Sequence, residues 1–207
     1  MNLQKLKNAE AYFLEVYPEG FKDAGLLPII KKHHTAKIGE HVREMFVKEN
    51  FAQPDLICDN FAKIVSKSTL ISLFEKPKVR EMVQTMRMER RDMFAIGLYE
   101  MLYGDAKEGF EIVVEVLSFY GLAKWPLVTL IPYYFYRDKA FFIKPTTTKN
   151  IITFFEIKGL VYKPKPSYEF YAAYTRVLET MKTHVGEKIS HDDNAAFTGF
   201  LMMAMEE

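Results

Sequence analysis

Asp105-Ala106-Lys107-Glu108-Gly109-Phe110-Glu111-Ile112-Val113-Val114-Glu115-Val116-Leu117-Ser118-Phe119-Tyr120-Gly121 decides the fold class. Asp105 with Glu108 three places on is a capping-box pattern. The first side chain accepts from the free N–H groups of a helix start, and the second reaches back to the cap. Phe110, Val113, Val114 and Leu117 then recur at helical spacing. Ile112, Val116 and Phe119 widen that face, which predicts a helix at the centre of the domain, and Gly121 ends it.

The same period extends to both sides. Upstream, Pro77 suits the first turn of a long helix over about 78–102, with Val79, Val83, Met86, Met93, Phe94, Leu98, Met101 and Leu102 as its stripe. Gly104 closes it. Residues 2–17 form an opening helix stopped by Pro18 and Gly20. A connector with a short turn covers Phe21 to Lys32. Thr35 caps a helix running to about Phe51, and Pro54 with Asp55 opens another.

Downstream, Gly121 to Tyr136 is an apolar run interrupted by Lys124 and two prolines, and it reads as buried in protein. A short extended piece with two or three strand residues is expected near 140–144. Further helices are expected at about 147–158, after Ser167, and after Asp192 or Asp193. The proline-rich loop before Ser167 is expected to be pinned by Val161 and Tyr162. Phe197, Phe200, Leu201 and Ala204 of the last helix face inward. The fold class is therefore all-α, a helical bundle-like domain spanning 1–207, with candidate internal lobes 1–123 and 124–207.

Composition supports a packed core. The 207 residues are 49% hydrophobic and 27% charged, and 17 Phe, 12 Tyr and 11 Met provide bulky, adaptable packing groups. The net charge is +1. Residues 137–188 carry twice as many basic as acidic side chains, while 189–207 carry no lysine or arginine. This favours a local anion-binding face over global steering toward nucleic acid.

Several functions are disfavoured. Cys58 is the single cysteine, so no internal disulfide and no cysteine metal cluster can form, and its helical setting suggests a buried thiol. The N-terminal stretch MNLQKLKNAEAYF has no apolar core of secretory-leader type, so no leader is expected, and no apolar run is long enough to span a bilayer. No membrane partner is expected, and a cytoplasmic location is. There is no GxxxxGK[ST], no GxSxG, no HExxH and no glycine-rich dinucleotide fingerprint. No cofactor or metal is expected. His191-Asp192-Asp193 would grip a cation only weakly, and a helix cap is the plainer reading.

The candidate site is the helix start at Lys144, Thr146, Thr147, Thr148 and Lys149. Unpaired N–H donors, threonine hydroxyls and two ammonium groups are what a phosphate needs. The plainer alternative is an ordinary helix start with solvated lysines. Supporting residues are Arg90, Tyr136, Arg137, Lys139, Lys163 and Lys165, where aromatics among cations could contact nucleic acid. Arg90 interrupts an apolar stripe, so it must reach water or a carboxylate, with Glu100, Glu111 and Glu115 as candidates. The first functional expectation is a phosphate- or nucleic-acid-binding module. The alternatives are a protein-interaction domain, dimerising through the aromatic segment 133–136 or the C-terminal helix, and an enzyme acting on a phosphorylated or otherwise anionic small molecule.

Overall fold

The structure is a computed structural model that describes residues 1–189 and 193–205. Among them the chain forms eleven α-helices and no strand. They are α1 (Leu3–Val16), α2 (Leu27–His33), α3 (Thr35–Met45), α4 (Pro54–Lys67), α5 (Glu75–Thr85), α6 (Met88–Tyr103), α7 (Ala106–Phe119), α8 (Trp125–Phe135), α9 (Pro145–Phe154), α10 (Tyr168–Thr183) and α11 (Asn194–Met203). The fold is all-α. No helix among the described residues is long and apolar enough to cross a membrane.

The α6–α7 hairpin is the most extensive helix pair. Asp105 caps α7 by accepting from the N–H groups of Lys107 and Glu108 at 2.9 and 3.0 Å. The reciprocal bond comes from α6: the Asp105 N–H donates to Glu100 Oε2 at 2.7 Å. Gly97 and Gly109 remove the side chains that would hold the two backbones apart.

The long helix expected over 78–102 is two helices, broken at Met86, whose backbone is extended. Arg91 explains the break. Its guanidinium donates to the carbonyls of Val83 and Met86 and pairs with Asp55 at 2.8 Å. Those carbonyls belong to the end of α5, where no intrahelical donor remains. Similarly, the helix expected to reach Phe51 stops at Met45 and is followed by a 3₁₀ turn, Lys48–Ala52. The amides of Asn50 and Asn60 both donate to the Met45 carbonyl at 3.0 Å. The connector 21–32 is also more ordered than expected, holding 3₁₀ turns and the start of α2.

The centre of the molecule is α8, not α7. From Leu127 to Tyr134 every residue of α8 is buried. A helix apolar on all sides belongs inside. By contrast, α7 leaves Glu111, Glu115, Ser118 and Phe119 exposed. The helix also runs through Pro132 to Phe135.

The segment 140–144 makes no strand. Phe141 and Ile143 are fully buried, and the Ile143 N–H donates to Thr129 Oγ1 at 3.2 Å. A helix hydroxyl thus takes the donor that a sheet ladder would have used. The next helix, α9, starts at Pro145 and ends at Phe154, earlier at both ends than the expected 147–158. The loop after it is held by Trp125, whose indole N–H donates to the Lys163 carbonyl at 2.7 Å, and Val161 lies 72% exposed.

The terminal helix docks on its own chain. Phe197, Phe200 and Leu201 are fully buried, and the rings of Phe200 and Phe13 of α1 meet edge-on at 5.3 Å. Asp193 caps it, and the buried Asn194 bridges the Ala140 carbonyl and Lys182. His191 and Asp192 lie outside the described residues.

Candidate anion-binding site

Pro145 occupies the first turn of α9, where its missing N–H costs nothing, and Lys144 is the cap residue. The Lys144 carbonyl already accepts from Thr148 N–H at 2.9 Å. The Lys144 side chain is exposed. Its charge acts on His33, at the C-terminal end of α2.

His33 is half-buried, with Nδ1 3.1 Å from Thr69 Oγ1. Its pKa is lowered from 6.5, first by burial and then by the positive charges of Lys32 and Lys144. The charges of Lys32 and Lys144 therefore both reach the His33 ring, where α2 ends and α9 begins. Nearby, no acidic residue occurs between Asp23 and Glu40, a stretch that includes Lys31, Lys32 and Lys37.

The other helix-start residues go elsewhere. Thr146 is exposed. Thr147 Oγ1 lies 4.0 Å from the sulfur of Met202 in α11. Thr148 is buried, and its hydroxyl faces the buried Tyr174 phenol without a hydrogen bond of good geometry. Lys149 extends over the Tyr162 ring, 5.8 Å from its centroid. Lys144 thus joins α2, whereas Lys149 joins the proline-rich loop.

The supporting residues are dispersed. Tyr136 donates its phenol to the Leu102 carbonyl, and Lys139 lies 5.8 Å from the Tyr136 ring centroid. Arg137 pairs with Asp193 and so fastens α11. Lys163 contributes its carbonyl to Trp125.

Arg90 finds an aromatic partner rather than a carboxylate. Its guanidinium stacks 3.4 Å above the Phe119 ring centroid. Together they line an open concavity of about 490 Å³ with Glu89, Met93 and Glu115. An adjoining concavity of about 390 Å³ shares Glu115 and Ser118 and includes Lys165 and Tyr168. No residue from 144 to 149 lines either one.

The most perturbed groups lie in the core. Burial pushes the Cys58 thiol up to about 12, and it raises the phenols of Tyr133 and Tyr174. Among the described residues, no three His, Cys, Asp or Glu side chains gather as metal ligands.

Sequence reasoning missed Lys32 and His33 as partners of Lys144. The run Lys31-Lys32-His33-His34 was the available signal, but nothing local links it to position 144. The chain matches no known family model, no curated protein and no solved structure.

Proposed function

We propose that this chain is a binding module for phosphate-bearing ligands, with its anion site at Lys32, His33 and Lys144. The observation that supports this reading is the joint action of Lys32 and Lys144 on one half-buried histidine. Like charges acting on one ring, beside a stretch of chain at 24–39 that holds no acidic side chain, raise the local potential, and an incoming anion relieves that repulsion. The free donors in the first turn of α9 add to it. Compared with the helix start alone, this site exchanges Lys149 for Lys32 and His33.

The test is a titration with inorganic tripolyphosphate, followed through the His33 ring resonances. Binding should raise the His33 pKa, weaken with added salt, and fall several-fold in Lys144→Gln. An unchanged His33 titration at saturating tripolyphosphate would overturn the reading.

A second reading, self-association, is favoured by the outer face of the α6–α7 hairpin. Phe119 is 64% and Ile96 54% exposed there, beside the Arg90 concavity. The segment 133–136 and α11 are less suited, because Tyr133, Tyr134, Phe197 and Phe200 are buried in their own chain. Sedimentation equilibrium of the wild type and Phe119→Ser tests it. A monomeric wild type at high concentration removes this reading.

A further inference from the structure

We propose that the phosphate-bearing partner is an anionic bilayer surface, met by an apolar tip formed by Leu73 and Phe74 and by the exposed face of α2. The charged half of this inference rests on the phosphate reading above. The apolar half rests on exposure.

Leu73 is 78% and Phe74 84% exposed, the two largest values among the exposed large hydrophobic residues. Leu27, Ile29 and Ile30 are about half exposed, and no residue of α2 is buried. Large apolar side chains grouped at a surface mark an interaction site.

The tip is held by its own loop. Buried Ser68 bonds the Tyr134 hydroxyl at 2.9 Å and accepts the Leu70 N–H at 3.1 Å. Ile71 is buried, and Ser72 Oγ accepts the Phe74 N–H at 3.2 Å. Lys76 donates to the Ser66 carbonyl from the other side of the tip. Ser68 and Ile71 are thus anchored inward while 73 and 74 project outward. The His33–Thr69 contact ties this loop to α2, so both apolar elements adjoin the basic corner.

The charges around the tip fit an anionic plane. Lys31, Lys32 and Lys144 are exposed, as are Lys67 and Lys78 on the helices flanking the loop. The acid next to the tip, Glu75, is neutralised by Lys124 at 3.0 Å. Lysines flanking aliphatic side chains suit the headgroup boundary, where apolar groups enter the acyl region and ammonium groups stay with phosphate. Nucleic acid fits less well. Bases stack on rings, and four of the five apolar residues here are aliphatic. This departs from the expectation of no membrane partner, which was argued from the lack of a spanning segment. A surface contact needs no such segment.

The experiment is co-sedimentation of the whole chain with phosphatidylcholine vesicles, with and without phosphatidylserine. The proposal expects binding only to the phosphatidylserine vesicles. The pair Leu73→Ser, Phe74→Ser should lower partitioning about tenfold or more, and the pair Lys32→Gln, Lys144→Gln about thirtyfold. All four positions are exposed or solvent-facing, and an unchanged melting temperature confirms that each variant folds.

Three outcomes overturn the inference. If tripolyphosphate binds but vesicles do not, the bilayer is wrong and the phosphate reading stands. If neither binds, both fail. If the wild type is a dimer that Leu73→Ser, Phe74→Ser converts to monomer, the tip is a contact between copies of this chain.

Discussion

Gly109 lies so close to Gly97 that a β-carbon on Gly109 would stand 2.5 Å from the Gly97 carbonyl oxygen. The Met101 nitrogen would be nearer still, at 2.4 Å. Both neighbours are backbone, so neither can rotate away. Gly109→Ala should therefore separate α6 from α7 and cost about 3 kcal/mol or more. At Gly97, the clash at 2.9 Å is with methyl groups of Ile112 and Val113. Those can adjust, so Gly97→Ala should cost only about 1–2 kcal/mol. Urea denaturation of both variants checks the ranking, and equal midpoints would contradict it.

Arg91 separates a charge effect from a carbonyl-capping effect. Asp55 is 61% exposed at its side chain, so Asp55→Asn should cost under about 1 kcal/mol. Arg91→Met also strips the Val83 and Met86 carbonyls of their donor and should cost about 2–3 kcal/mol. If the two variants lose the same stability in guanidine titrations, the ion pair carries the effect.

The C-terminal helix should behave as core. Phe200→Ala removes a fully buried ring and should cost about 3–5 kcal/mol. Truncation before Asn194 should abolish the cooperative thermal transition. A truncated chain that melts normally, with only its mass altered, would assign α11 to an interface.

His33 links stability to pH. Its folded pKa lies below 6.5, so as pH falls through about 6.5 the unfolded chain takes up the proton first. The stabilisation is full above that point and is lost toward the lower folded pKa. Replacement by Gln should flatten this part of the pH–stability curve, and phosphate in the buffer should reduce the acid loss in the wild type. Urea midpoints measured across that range decide it. An identical pH dependence in His33→Gln would remove the argument.

Cys58 is fully buried, with its thiol pushed up to about 12. Thiolate is then scarce at neutral pH and out of reach. A thiol-specific disulfide reagent should label the native chain only as fast as it opens. Labelling at the rate of a free thiol would show that the α4 packing is wrong.

How much could be read in advance differs by residue. Asp105 and Ser167 were legible as caps, and Phe197, Phe200 and Leu201 as an inward face, because caps and apolar periods act within a few residues. The break at Met86 was not. Val79, Val83, Phe94 and Leu98 do face inward, but Arg91 folds back onto carbonyls of the preceding helix. Arg90 is anomalous in its apolar stripe, and spacing points to carboxylates as partners where the fold supplies the Phe119 ring. An aromatic face serves equally well, and Phe119 looked like part of the buried stripe.

For the candidate site, Lys144 was legible as the start of a helix, and the reach of its charge to His33 was not. Sequence alone determined the helical class, most of the helix starts and the burial of Leu127 to Tyr134 within the 121–136 run, since these depend on local hydrogen bonding and on side-chain period; Gly121 and Lys124 of that run are exposed. Tertiary structure decided that α8 rather than α7 is central, that the charge of Lys144 reaches His33 of α2 while Lys149 lies over the Tyr162 ring, and that Leu73 and Phe74 stand outside. Those outcomes depend on which distant surfaces pack together, and no spacing along a chain encodes the direction in which a helix end points.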